Sequence, residues 1–206
     1  MKYAICSDVQ GNYKNLHGFL TEISGKADRI ICLGDIVQNG MNFEDNRCIA
    51  DIIKNNVLAV KGNHEEDILS HRNAIEKIFS SNLDFISNIP SRRIIEGKYL
   101  LNHSSIRSKN KRLKTVSDVE KEFEALKTEY PGTRVCFFGH SHKASLFEYN
   151  GKISEIKDVF EKPVLLKDDK VYLANPGGIG LYYDIQLSYI LFDSDKQTLK
   201  FERFRK

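Results

Sequence analysis

Unbroken apolar runs alternate with amphipathic stretches along the first third of the chain. The runs "KYAICS", "RIICLG" and "VLAVKG" predict strands that are covered on both faces, because neither face carries regularly spaced polar residues. Apolar residues recur at helical spacing over 13–24, where Asn12 is the predicted N-cap, and again over 46–55. The pattern therefore predicts alternating strands and helices.

The rest of the chain is richer in strands. The runs "RRIIE" and "KYLLNH" flank a glycine-containing turn and predict a hairpin. Ser117 and Glu120 have the spacing of a capping box for a following helix, and "RVCFFG" predicts another strand. Shorter strands are predicted at "SLFEY", "KVYLAN", "SYILFD" and "LKFERF". Two layers of sheet between helices would accommodate this pattern as one domain over 1–206.

Composition narrows the class of protein. With 206 residues, 41% of them hydrophobic, the chain can bury one sizeable core. A net charge of +3 is too small to indicate nucleic-acid or membrane binding by itself. We expect a cytoplasmic protein without a membrane partner, because no segment has the pattern of a signal peptide or the length of a membrane span. The four cysteines form no CxxC pair and are predicted to be buried, reduced thiols.

Residues that bind metals follow the predicted strands. The side chains concerned are Asp8, Asp35, Asn63, His64, His103, His140 and His142. Because ligands of open α/β sheets bind at the carboxyl ends of strands, we expect these side chains to share one crevice.

Each of these residues, taken singly, has a simpler interpretation. An aspartate after a strand is commonly a turn former, and a lone buried histidine is commonly a core residue. However, four of the six histidines occupy such positions, and only His17 and His71 fall elsewhere, on predicted helix surfaces. Oxygen and nitrogen donors without cysteine favour Mn²⁺, Fe²⁺ or Zn²⁺ in an active site. The donors outnumber the needs of one ion, which indicates two ions sharing a carboxylate, an arrangement suited to attack on phosphorus.

Five short motifs give the chain a family resemblance. "SDVQGN", "LGDIV", "KGNHEE", "NHS" and "GHSH", in this order, resemble the signature blocks of the calcineurin-like metallophosphoesterase superfamily. "GDIVQNGMNFEDNRCIADII" and "NPGGIG" resemble its small bacterial branch, which is related to diadenosine tetraphosphatases and serine/threonine protein phosphatases. The resemblance implies an α/β fold, a four-layer αββα sandwich with two mixed sheets and a dinuclear metal centre at one edge.

The resemblance also implies a ligand set. The first ion would be held by Asp8, Asp35 and His142, with Gln10 as a further ligand, and the second by Asp35, Asn63, His103 and His140. Asp35 would bridge the ions, and a shared hydroxide would be the nucleophile. Mn²⁺ is the expected metal, with Fe²⁺, Zn²⁺ and Mg²⁺ as alternatives.

The residues around this set have implied roles in substrate binding. His64 would contact the phosphoryl oxygens together with Asn63 and protonate the leaving oxygen, held by Glu65; alternatively, Glu65 only complements the helix dipole. Arg107 and Lys109 lie in "SSIRSKNKRLKT", which has five basic residues and no acid. This stretch is either a cationic lid or a solvated loop.

Gln10 departs from the family pattern, in which a histidine is usual at this position. Three interpretations remain open. The amide oxygen ligates the first ion, or it binds a water on that ion, or the first ion binds weakly and the second carries most of the chemistry.

The expected function is a metal-dependent phosphoesterase acting on phosphomonoesters or phosphodiesters. The substrate would be a phosphorylated small molecule, a nucleotide such as a dinucleoside polyphosphate, or a phosphoprotein, and the loops over 36–46 and 104–116 would select it. The alternative is a non-catalytic module that senses a phosphorylated ligand.

Overall fold

Two mixed sheets form the centre of the computed structural model, which describes residues 1–40, 42–113, 115–180 and 186–204. The strands within these ranges are β1 Lys2–Cys6, β2 Arg29–Cys32, β3 Leu58–Ala59, β4 Arg92–Ile95, β5 Tyr99–Asn102, β6 Val135–Phe137, β7 Ser145–Tyr149, β8 Ile153–Glu155, β9 Val164–Leu165, β10 Val171–Asn175, β11 Ser188–Asp193 and β12 Thr198–Arg203. The helices are α1 Tyr13–Glu22, α2 Phe43–Lys54, α3 Asn63–Ser70, α4 Arg72–Ile75, α5 Ser80–Asn88 and α6 Val116–Glu129. No helix in these ranges is long and apolar enough to cross a membrane.

Each sheet contains three neighbouring parallel strands. The first sheet has the order β3-β2-β1-β11-β12-β9, in which β1, β2 and β3 are parallel. The second has the order β4-β5-β6-β10-β7-β8, in which β5, β6 and β10 are parallel. The remaining neighbours in both sheets pair antiparallel. Parallel neighbours end at the same edge of a sheet, so whatever follows them in sequence is brought together.

Strand β1 shows how the layers are stacked. Tyr3 and Ile5 pack into the core between the two sheets, whereas Ala4 and Cys6 pack under α1, α2 and α5. This alternation follows from the two-residue period of a strand, and it explains why nearly all of β1 is buried. A third apolar cluster joins the outer face of the second sheet to α6. The predicted α/β four-layer sandwich with two mixed sheets is therefore confirmed.

Helix boundaries depend on local caps. The side chain of Asn12 accepts the backbone N–H of Asn15 at 3.0 Å, as predicted for the start of α1. The capping box of α6 differs from the prediction, because it is formed by Thr115 and Asp118 and not by Ser117 and Glu120. Both pairs have the same spacing, so the sequence pattern alone does not distinguish them.

Two further predictions can be compared with the structure. Helix α2 begins at Phe43, earlier than predicted, because the Asn42 side chain accepts the N–H of Glu44 at 3.1 Å. The four cysteines are free and buried, as predicted.

Candidate metal centre

The candidate ligands lie beyond the carboxyl ends of parallel strands from both sheets. In the first sheet, β1 precedes Asp8, β2 precedes Asp35, and α3 begins at Asn63 after β3. In the second sheet, β5 precedes His103, and the loop after β6 carries His140 and His142. The structure brings these side chains together where the edges of the two sheets meet.

Asp35 is the centre of one group of donors. Its Oδ1 accepts the backbone N–H of His64 at 3.0 Å, whereas its buried Oδ2 accepts no hydrogen bond. That Oδ2 lies 3.2 Å from Nε2 of His103, and the same Nε2 lies 3.2 Å from Oδ1 of Asn63. Asp35, His103 and His140 each offer a ligand atom, and these atoms lie within 4.8 Å of one another.

A second group of donors surrounds Asp8. Its Oδ2 accepts the backbone N–H of His140 at 3.0 Å, and its buried Oδ1 accepts no hydrogen bond. This Oδ1 lies 3.4 Å from Nε2 of His142, and the amide nitrogen of Gln10 lies 3.3 Å from the same Nε2. Gln10 is therefore placed beside the atoms that the sequence analysis assigns to the first ion.

The donor set fits divalent metal ions. A buried carboxylate oxygen that accepts no hydrogen bond is costly. Asp8 and Asp35 each have one such oxygen, and each of these oxygens faces an imidazole nitrogen. Buried carboxylates are otherwise paired or bound to metals. Oxygen and imidazole ligands suit Mn²⁺, Fe²⁺ and Zn²⁺.

An ion pair between Asp35 and His103 dominates the electrostatics of the donors around Asp35. Burial raises the pKa of Asp35, but the positive charges of His103 and His64 and the backbone N–H of His64 outweigh it and hold that pKa at about 2. Burial lowers the pKa of His103, but the Asp35 charge outweighs it and raises that pKa to about 9. A proton and a divalent ion therefore compete for Nε2 of His103.

The pKa values of the other two candidate histidine ligands, His140 and His142, are lowered. Burial and the His103 charge lower the pKa of His140, and burial lowers that of His142. Both rings are therefore biased towards the neutral form, which is the form that binds metals.

Left-handed backbone conformations are concentrated at this site. Five of the candidate ligands have a positive φ between 49° and 64°, namely Asp8, Gln10, Asp35, His140 and His142. Each such non-glycine residue costs on the order of 1–3 kcal/mol, and strain of this kind clusters at functional sites. Backbone hydrogen bonds between the loops hold two of them in place, because Asp8 donates to Gly34 at 3.1 Å and Gln10 to Asp35 at 2.8 Å.

His64 is oriented by a backbone carbonyl. Its Nδ1 makes a short hydrogen bond to the carbonyl of Gln38, and its Nε2 lies 3.7 Å from Oδ2 of Asp35. The sequence leaves Glu65 either holding His64 or only complementing the helix dipole, but its buried carboxylate accepts the backbone N–H groups of Gly62, Asp35, Ile36 and Val37. This corrects the expectation, since the carboxylate is occupied in fixing the loop that carries Asp35.

The two basic candidates point in different directions. Arg107 forms an ion pair with Glu129 of α6 at 3.0 Å, so the structure does not bring it to the site. Lys109 pairs with Glu66 at 2.6 Å and lines a cavity next to Asn63. Lys114, the last basic residue of this stretch, lies outside the described residues.

Several buried groups that support the site were not found from the sequence. Asp45 accepts the backbone N–H groups of Gln38 and Gly40 at 2.7 and 2.9 Å, and so holds the loop that orients His64. Glu122 accepts the Ser105 hydroxyl and the Ile106 N–H. The sequence pattern did not indicate either acid, because neither one follows a predicted strand. Asn175, the last residue of β10, donates to the Gly139 carbonyl at 2.8 Å and supports the loop of His140.

Comparisons with known proteins agree with this architecture. Residues 1–197 match the model of the calcineurin-like phosphoesterase superfamily domain. An uncharacterized protein of Methanocaldococcus jannaschii is 29% identical over 92% of this chain and 82% of its own length. A metallophosphoesterase of Sphaerobacter thermophilus has a TM-score of 0.80 and 24% identity, over 100% of this chain and 88% of the other.

A more distant solved structure shares the fold. A hypothetical protein of Pyrococcus horikoshii has a TM-score of 0.69 and 13% identity, over 99% of this chain and 88% of the other. The family match spans every strand of the two sheets except β12, and it includes all the candidate ligands. The chain therefore belongs to the calcineurin-like phosphoesterase superfamily, whose members are hydrolases of the phosphoesterase type.

Proposed function

We propose that the chain hydrolyses phosphomonoesters or phosphodiesters with two divalent metal ions, for which Mn²⁺ is the most suitable. The observation that carries the proposal is the pair of buried carboxylate oxygens, Oδ1 of Asp8 and Oδ2 of Asp35, that accept no hydrogen bond and face imidazole nitrogens. A protein without metals would gain stability by giving these oxygens a donor.

The residues are assigned to two ions as follows. Asp8, Gln10 and His142 would hold the first, Asn63, His103 and His140 the second, and Asp35 would lie between them. Bound there, divalent ions lower the pKa of water towards neutrality and offset the negative charge on a phosphoryl group.

His64 has the geometry of a proton donor for the leaving oxygen. The Gln38 carbonyl fixes the proton on Nδ1, so that Nε2 is the nitrogen that faces the candidate ligands. An imidazolium in this position can give the Nε2 proton to the leaving oxygen and, together with the Asn63 amide, stabilise the phosphoryl oxygens. Glu65 would contribute only through the loop of Asp35.

The substrate would be a phosphorylated small molecule, a nucleotide or a phosphoprotein. Four free cysteines suit the reducing cytoplasm, where we propose that the protein acts.

Metal-dependent hydrolysis of two model substrates tests the proposal. The metal-free protein is reconstituted with Mn²⁺, Mg²⁺, Zn²⁺ or Fe²⁺ and assayed on p-nitrophenyl phosphate and bis-p-nitrophenyl phosphate. We expect turnover of at least one substrate that requires added metal and is greatest with Mn²⁺. Metal-dependent binding of phosphate without turnover of either substrate would instead indicate a sensor of phosphorylated ligands.

A further inference from the structure

A cavity of about 220 Å³ opens beside the candidate metal ligands Asn63 and His103. Both residues line it, so it is continuous with the metal centre. Pockets that take a whole drug-sized molecule have volumes of about 300–1,000 Å³. This cavity is therefore suited to one small group of a substrate and not to a complete nucleoside.

Its walls carry an excess of positive charge. Three basic side chains, those of Lys61, Arg92 and Lys109, line the cavity together with one acid, Glu66. Glu66 pairs with Lys109. Within the described parts of the chain, Lys61 and Arg92 form no ion pair. The charge of Arg92 interacts with the buried carboxylate of Glu122. Lys61 therefore carries most of the unneutralised positive charge at the cavity wall.

Neutral hydrogen bonds hold the two unpaired cations in place. Arg92 donates to the Tyr130 hydroxyl at 2.9 Å and to Oδ1 of Asn102 at 3.3 Å, and Lys61 donates to the Ser87 carbonyl at 3.2 Å. Such partners orient a cation without cancelling its charge. Fixed positive groups at the wall of a cleft attract an anion and need little rearrangement to bind it.

We propose that this cavity binds a second phosphoryl group of the substrate, beside the one that is hydrolysed. Lys61 and Lys109 would contact its oxygens, and Arg92 would supply charge from the wall. The inference rests on the proposed function, because the metal centre takes the first phosphoryl group. The preferred substrate is then a compound with two neighbouring phosphoryl groups, such as a nucleotide with a polyphosphate chain.

Three small ligands test the inference through binding alone. Methylphosphonate has one anionic phosphonate, methylenediphosphonate has two, and phosphonoacetate has one phosphonate and one carboxylate. Each is titrated by calorimetry into the Mn²⁺-loaded protein at a fixed free Mn²⁺ concentration. We expect methylenediphosphonate to bind at least roughly tenfold more tightly than either of the others, the effect of about one charged hydrogen bond.

Variants locate the preference in the cavity. Lys61→Met should reduce the preference for methylenediphosphonate roughly tenfold, and Glu66→Gln should increase it, because an anion leaves the wall. Lys111→Met is the control for loss of a positive charge, since Lys111 lies in the same loop as Lys109 but does not line the cavity and pairs with Asp118 at 2.8 Å. Chelation of Mn²⁺ in solution is the same for every variant, so it does not affect the comparison.

Three results would overturn the inference. The first is that Lys61→Met leaves the preference for methylenediphosphonate unchanged, and the second is that Lys111→Met reduces this preference as much as Lys61→Met does. The third is that phosphonoacetate binds as tightly as methylenediphosphonate and also depends on Lys61, which would assign the cavity to a carboxylate. Failure of the proposed function gives a different result, namely intact ligand preference without turnover of either nitrophenyl substrate.

Discussion

At the residue scale, each candidate carboxylate divides its two oxygens between two tasks. One oxygen of Asp8 and one of Asp35 accept a backbone N–H, which fixes the side chain, and the other oxygen is buried and free. An aspartate that only formed a turn would have no reason to bury a free oxygen. The sequence placed both residues at strand ends, but it could not show this division, because the donors come from His140 and His64, far along the chain.

Gln10 provides the first prediction at this scale. Its amide already lies 3.3 Å from Nε2 of His142, so Gln10→His should place an imidazole beside the first ion and bind Mn²⁺ more tightly. Mn²⁺ titrations of both proteins, read by metal analysis and by activity, check this. If the two curves coincide, position 10 does not contact the first ion. An increase in kcat is not required, because tighter binding of the first ion does not by itself stabilise the transition state more than the ground state.

His64 provides the second prediction. His64→Ala should keep the metal content of the wild type and lower kcat by roughly 10²–10⁴, the usual contribution of an acid–base group. The loss should be smaller for nitrophenyl esters than for alkyl esters, since a good leaving group needs no proton. His17→Ala, a change at an exposed histidine of α1, is the control. Equal losses on both kinds of ester would show that His64 does not protonate the leaving oxygen.

At the element scale, buried carboxylates hold the loops that carry the site. Glu65 accepts four backbone N–H groups around Asp35, and Asp45 accepts those of Gln38 and Gly40. From the sequence, Glu65 was interpreted as a partner of His64 or as a simple helix-dipole residue. Local patterns show that an acid begins a helix, but they do not show which neighbouring loop folds over it.

Asp45 provides the prediction at this scale. Asp45→Asn removes one acceptor from the loop whose Gln38 carbonyl orients His64, so kcat should fall while metal content is unchanged. Folding should also lose about 1–3 kcal/mol, the cost of an unsatisfied buried N–H. Asp51→Asn is the control, because Asp51 lies in α2 with Asp45 but pairs with the exposed His17 of α1.

A double variant separates positioning from general damage. In the His64→Ala background, Asp45→Asn should lower kcat little further, because the residue it positions is already absent. An additive loss would show that Asp45 acts on catalysis through something other than His64.

At the scale of the whole molecule, the order of parallel strands assembles the site. The sequence predicted most strands correctly, because their apolar runs are long and buried on both faces. It missed β8 and β9, which span only Ile153–Glu155 and Val164–Leu165 and are partly exposed. It also could not find Arg92, whose position depends on how β4 lies beside β5 and the loop after it.

The central claim is that two ions share Asp35, and metal analysis of the wild type and Asp35→Asn tests it most directly. The variant keeps the shape of the side chain but removes a negative charge from between two cations. We expect two Mn²⁺ per chain in the wild type, and at most one in the variant together with loss of phosphoesterase activity. An Asp35→Asn protein that retained both ions and full activity would contradict the account.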